Sequence, residues 1–259
     1  MRYYIDTEFL EGTQKENFPI SLFRKNTHPT IDLISVGIVA GDGREYYAIS
    51  KDFNLKEAWN RYDIVKDGFR DCGMTPNFKK VYWIRDNVLK PIYEELFSKA
   101  IHDKDYNRKH FCRLAFNYGD LKCLIDWYGK TNKQISEEIK KFVGYPNYYP
   151  KTKYMRTKVE STKPKFYAYY ADYDWVAFCW LFGKMIDLPK GFPMYCIDLK
   201  QKLDSMYMLQ ENKYKGLSKI DAWLQDIKKH PDYPKQTNEH NALADAKWNK
   251  KLHEFINKL

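Results

Sequence analysis

Apolar and polar positions alternate with a period of two at the start of the chain, where MRYYIDTEFLEG sets Tyr3 and Ile5 against Tyr4 and Asp6. That period predicts a strand, and it puts Asp6 and Glu8 on one face with Cα atoms about 6.6 Å apart. The polar stretch 11–30, with Pro19 and Pro29, reads as a loop. Two β-rich runs, 31–40 (IDLISVGIVA) and 45–50 (EYYAIS), flank Gly41-Asp42-Gly43 and predict a hairpin. The period then lengthens. Trp59, Tyr62, Val65 and Phe69 recur at three- and four-residue spacing, which predicts a helix within 52–78 that fades at Gly73 and Pro76. Trp83, Val88, Leu89, Ile92, Leu96 and Phe97 extend helical structure over 80–101, with Pro91 marking a break or a new first turn.

Residues 102–129 show no clean period and read as an insertion, and 136–143 (SEEIKKFV) as a helix. A buried strand is expected over 166–170 (FYAYY), running into a helix whose apolar positions are Trp175, Phe178, Cys179 and Phe182. That arrangement places Asp174 in a first helical turn, where the helix dipole favours an acid. A short strand at 195–199 and helices at 202–209 and 217–227 follow. The strongest helix is the last, 241–259, with small Ala242, Ala244 and Ala246 and an apolar stripe of Trp248, Leu252, Phe255, Ile256 and Leu259. His240 stands at its entrance, and Asp245 lies on its apolar side, where an acid is unexpected.

Composition narrows the partners. The chain has 259 residues, enough for one large domain with insertions, and a net charge of +10 with 22 tyrosines. Basic charge attracts phosphates and aromatic rings stack on unpaired bases, so nucleic acid is the first partner to consider. The densest region is 144–165, where Lys151, Lys153, Tyr154 and Arg156 have the make-up of a phosphate-tracking loop. The cysteines, five in number, include no C-x-x-C pair, which fits a reduced compartment rather than a zinc or disulfide framework. The first residues read as a strand, so no apolar leader is expected, and no run approaches the roughly 18 residues that span a bilayer. The expectation is a soluble cytoplasmic protein with no membrane partner.

Three acidic signals then fall into an order: D-x-E on the first strand, an acid at a strand-to-helix junction, and H-x-A-x-x-D opening the last helix. Here the chain resembles the histidine-containing branch of the DEDD 3′-5′ exonuclease superfamily, the group of proofreading exonucleases, oligoribonuclease and RNase T. Asp6-Thr7-Glu8 matches the first motif and His240-Asn241-Ala242-Leu243-Ala244-Asp245 the third. The second motif usually reads N-x-x-F-D, and Tyr170-Ala171-Asp172-Tyr173-Asp174 stands in its place. Tyrosine replaces the asparagine, and Asp172 competes with Asp174 for the role of the acid. The phrases YYIDTEF, YYADYDWVAFCWLFG and HNALADAKWN are most similar to the compact mycobacterial-type 3′-5′ exoribonucleases. The likeness does not extend over 17–29, 52–76 or 102–130, which read as elaborations of a single exonuclease domain.

The resemblance implies an α/β, RNase H-like fold: a mixed five-stranded sheet with helices on both faces, and a parallel crossover that brings Asp174 near Asp6. It implies two divalent ions, Mg²⁺ or Mn²⁺, held by Asp6, Glu8, Asp174 and Asp245, with His240 as general base. Thr7 and Phe9 are expected to meet the terminal nucleotide. The substrate would be a 3′ end of single-stranded RNA, or of DNA or an overhang, cut to 5′-mononucleotides; a homodimer stays open. Two other classes share these residues: a nucleic-acid-binding module without catalysis, and an endonuclease or nucleotide phosphohydrolase.

Overall fold

The computed structural model describes residues 1–14, 28–69, 76–109, 115–144, 163–209 and 218–259. Strand β1 (Arg2–Gly12) is the middle of a five-stranded sheet, whose other strands are β2 (Thr30–Ala40), β3 (Glu45–Ile49), β6 (Lys165–Ala168) and β7 (Ile197–Asp198), in the order β3-β2-β1-β6-β7. The β2–β3 connection turns at Gly43, whose φ of +93° is one that glycine adopts without strain. Strand β6 runs parallel to β1, with Tyr3 beside Phe166 and Tyr4 beside Tyr167, and β7 runs parallel to β6. The sheet is therefore mixed, as expected for an RNase H-like fold.

The period-2 alternation of β1 and β6 feeds two aromatic layers. On one face Tyr3 stacks on Phe166, and Phe166 meets Trp175 and Phe178 of α6 (Ala171–Trp180). The Tyr3 hydroxyl donates to the Val143 carbonyl at the end of α5 (Asn132–Val143). On the other face Tyr4 and Tyr167 pack with Leu199 and Leu203 of α7 (Leu199–Leu209), Trp223 of α8 (Ser218–Lys228), and Trp248, Leu252 and Phe255 of α9 (Ala242–Ile256). Helices cover both faces because both layers of side chains are apolar.

The chain divides into two compact units: residues 1–8, 35–48 and 132–259 in the first, and 9–34 and 49–131 in the second. The elements above lie in the first, apart from residues 9–12 of β1, 30–34 of β2 and Ile49 of β3, which belong to the second. The second holds α1 (Leu55–Asn60), an antiparallel hairpin of β4 (Asp63–Phe69) and β5 (Pro76–Val81), α2 (Lys90–Ala100), α3 (Lys104–Lys109) and α4 (Tyr118–Tyr128). Its core includes Leu89, Ile92 and Leu96 with Leu121, Leu124 and Ile125. A π turn over Arg85–Leu89 leads into α2, and Pro91 falls in the first turn of that helix.

The helix expected within 52–78 is corrected. Among the described residues of that stretch only Leu55–Asn60 is helical; Arg61 then turns extended, and its guanidinium donates to the carbonyls of Glu11 and Thr13. The next residues carry the β-branched pair Ile64-Val65, and the three-residue spacing of Tyr62 and Val65 marks exposed positions, not a buried helical face. The strand expected at 195–199 shrinks to Ile197–Asp198, because Asp198 Oδ1 accepts from the amides of Lys200 and Gln201 and starts α7 early. Residues 102–129, without a sequence period, contain α3 and α4.

Candidate metal centre

The central strand delivers the first two acids. Burial of Tyr3, Tyr4 and Ile5 fixes β1, so that Asp6 and Glu8 leave the even-numbered side of the strand, the side covered by α9. Helix α9 is held there by Asn249, whose Nδ2 donates to the Ile5 carbonyl at 2.9 Å. Its N-terminus is set by Asn241, whose side chain accepts from the Ala244 amide. Asp245 follows in the first turn. Carboxylate oxygens of Asp6, Glu8 and Asp245 lie within 4.8 Å of one another.

Asp174 enters from α6 on the odd-numbered side. Its Oδ1 accepts from both the backbone amide (2.8 Å) and the hydroxyl (2.6 Å) of Thr7, the residue between the two acids of β1. Asp174 is buried and Asp172 exposed, so of the two competitors Asp174 is the one turned inward. The residue at the asparagine position, Tyr170, caps α6 with φ +55°. Asp198 ties this end of the sheet together: its Oδ2 accepts from the Ala171 amide at the start of α6.

Asp245 is oriented by two donors, Gln236 Nε2 at 2.7 Å and the His240 amide at 2.9 Å. His240 itself has φ +66°, and its Nδ1 lies 4.0 Å from Glu8 Oε1, with a side chain 38% exposed at the edge of the cluster. No pattern in the sequence marks Gln236, which lies in an irregular segment. Asn249 was missed as well; its one cue is its place as a polar residue one turn beyond Asp245 on a helix that buries Trp248 and Leu252.

Among the described residues the charged groups that shift Asp6 and Glu8 are all acids. Burial pushes the Asp6 carboxyl well above the usual range, and the neighbouring Asp174, Glu8 and Asp245 push it further. Burial, then Asp245 and Asp174, take Glu8 up to about 8. Asp174 is raised mainly by burial, against the two Thr7 hydrogen bonds that hold it down, and Asp245 is raised by burial against Gln236 and the His240 amide. Among the described residues, none donates a hydrogen bond to the Asp6 or Glu8 carboxyl. Buried carboxylates of this kind are stable as anions only with a cation among them. An all-oxygen donor set suits a hard divalent ion such as Mg²⁺ or Mn²⁺.

No protein-family model matches the chain. It is similar to 3′-5′ exoribonucleases of Mycobacterium tuberculosis. Those of strains CDC 1551/Oshkosh and ATCC 25618/H37Rv are each 25% identical to it over 202 residues, 78% of this chain and 73% of the relative. Of the substrate residues expected from sequence, Thr7 is buried and engaged with Asp174, and Phe9 continues β1 in a partly exposed position. Lys151, Lys153, Tyr154 and Arg156 lie outside the described residues. No helix among the described residues is long and apolar enough to cross a membrane.

Proposed function

We propose that the protein is a metal-dependent 3′-5′ exonuclease of the histidine-containing DEDD type, acting on single-stranded RNA and releasing 5′-mononucleotides. The convergence of Asp6, Glu8 and Asp245 in a cluster that meets no Lys or Arg among the described residues carries this reading. The similarity to mycobacterial 3′-5′ exoribonucleases supports the choice of RNA. Asp6, Glu8 and Asp245 would hold one divalent ion and Asp6 with Asp174 a second; bound there, the ions supply charge neutralisation for the phosphodiester and a nucleophile at neutral pH.

The chain's own groups do the rest. Thr7 fixes the carboxyl of Asp174 through two donors on one oxygen. Gln236 and the His240 amide fix both oxygens of Asp245. His240, exposed beside Glu8, accepts the proton of the attacking water as the new P–O bond forms, and the bond from phosphorus to the 3′ oxygen of the penultimate nucleotide breaks. That oxygen leaves as the new 3′ end.

General-base catalysis is typically worth about 10² to 10⁴ in rate. His240→Ala is therefore expected to lose a factor in that range and keep residual activity, whereas Asp6→Asn loses ion binding and activity together. The measurement is release of 5′-mononucleotides from a 20-nucleotide single-stranded RNA with Mg²⁺, alongside the same RNA with a blocked 3′ hydroxyl. Equal rates for wild type and Asp6→Asn, or cleavage indifferent to the block, would sink the proposal.

A further inference from the structure

The β4–β5 hairpin of the second unit has two unlike faces. Its register pairs Ile64 with Lys80 and Lys66 with Phe78, and pairs Asp63 with Val81 and Val65 with Lys79. In an antiparallel pair, residues directly opposite share a face. One face thus carries Ile64, Lys66, Phe78 and Lys80, extended by Tyr62, whose ring lies 4.1 Å below the Lys80 ammonium. The other carries Asp63, Val65, Asp67 and Lys79, with Lys79 paired to Asp67 at 3.0 Å.

The first face is exposed and unusually apolar: Ile64 is 65% accessible, Phe78 58% and Tyr62 42%. An exposed apolar patch of this kind calls for a partner. Both charged residues on it are lysines, while the opposite face has two acids. Just beyond, Arg85 lies 3.9 Å from the Tyr82 ring, which adds a further cation–aromatic pair at the base of the ribbon. Aromatic surface interleaved with positive charge, with no carboxylate among its described residues, complements a single-stranded nucleic acid, which offers base faces and phosphates together. A protein partner of ordinary composition would be met as well by the mixed-charge face.

We propose that the Tyr62–Ile64–Lys66–Phe78–Lys80 face of this hairpin is a binding arm for single-stranded nucleic acid, a second contact surface for the substrate chain. The inference rests on the exonuclease reading for its substrate, and it assigns to the 52–76 elaboration a role that the metal centre does not supply. Ring faces stack on bases without regard to sequence, and the lysines meet the phosphates between them.

Lys79 and Lys80 are neighbours on opposite faces, and this makes a matched test. Lys80→Glu and Lys79→Glu change the net charge equally, so they separate a face-specific contact from a general loss of positive charge. Binding of a fluorescein-labelled 20-nucleotide single-stranded RNA is measured by anisotropy in EDTA, across a range of salt. Lys80→Glu and Phe78→Ala are each expected to weaken binding roughly ten-fold, the scale of one stacked base or lost phosphate contact, while Lys79→Glu changes it less than two-fold. The salt slope for Lys80→Glu should fall by about 0.7. Equal effects of the two lysine variants, wild-type affinity in Phe78→Ala, or no binding by the wild type would overturn the arm. So would a variant effect on the mass of the free protein by light scattering in place of RNA affinity, which would mark the face as a contact between copies of the chain. Mononucleotide release by the wild type, followed separately with Mg²⁺, reports on the exonuclease reading, so the two can fail independently.

Discussion

Tyr170 occupies a left-handed backbone position, φ +55° and ψ +53°, at the start of α6. An L-residue with a bulky side chain pays roughly 1–2 kcal/mol there, and asparagine is among the few non-glycine residues that visit the region routinely. The position is the one at which the N-x-x-F-D motif has asparagine, so the departure noticed in the sequence coincides with a local conformational cost. Tyr170 is 64% exposed, so little packing is lost on its removal. Tyr170→Asn is expected to raise stability by about 1 kcal/mol, read as a rise in the urea midpoint at unchanged slope. The same substitution leaves Asp174 in place, because that carboxyl is held by Thr7 and not by residue 170. At this scale the sequence was informative about residue types and silent about partners. Asp6, Glu8 and Asp245 were legible as acids in apolar settings, but Gln236 donates from an irregular loop, and no spacing could connect it to Asp245.

At the scale of elements, what the sequence revealed depended on whether a segment's periodicity came from burial. Strands β1, β2 and β3 and helix α9 bury one or both faces, and their patterns located them to within a few residues. The β4–β5 hairpin exposes Ile64, Val65 and Phe78, so Tyr62 and Val65 imitated a helical stripe although neither is buried. Gly37 illustrates a constraint that no pattern carries. It sits in the middle of β2, where glycine is disfavoured, and a Cβ built there would fall 2.2 Å from the Ala242 carbonyl oxygen and 2.4 Å from the Leu243 nitrogen. The missing side chain lets the N-terminus of α9 lie directly on the strand, three residues before Asp245. Both obstacles are backbone, so a methyl group is accommodated only by moving the helix. Gly37→Ala should cost on the order of 1–3 kcal/mol as an overpacking substitution, and should also lower exonuclease activity by displacing Asp245 from Asp6 and Glu8. Thermal melting and mononucleotide release measure the two effects. Full activity in a destabilised variant would show that α9 returns to its place when the methyl is admitted.

For the molecule as a whole, the acidic cluster and the core shift in opposite senses, and their balance gives a test that needs no substrate. Glu8 is raised from the ordinary glutamate value to about 8 by burial and its acidic neighbours. A carboxyl raised in the folded state favours folding when protonated, so the ion-free protein loses that contribution as pH climbs from about 4.5 through 8. His253 acts the other way. Buried against Tyr4, with Nδ1 3.0 Å from the Tyr4 hydroxyl and its ring 4.3 Å from that of Tyr167, it is held down to about 4. It therefore contributes stability above the unfolded histidine value of about 6.5 that is lost as pH falls toward 4. Between pH 6.5 and 8.5 the histidine is silent and the acidic cluster dominates. A divalent ion that replaces the protons of Asp6, Glu8 and Asp245 binds more tightly as those groups ionise, and ligand binding to the folded state alone stabilises it. Addition of 5 mM Mn²⁺ or Mg²⁺ should raise the melting temperature by several degrees at pH 8.5 and by clearly less at pH 6.5. Asp6→Asn should remove the difference, because it takes away one of the three carboxylates that come together in the cluster. An equal shift at both pH values, or an undiminished shift in Asp6→Asn, would place the stabilising ion somewhere other than this cluster.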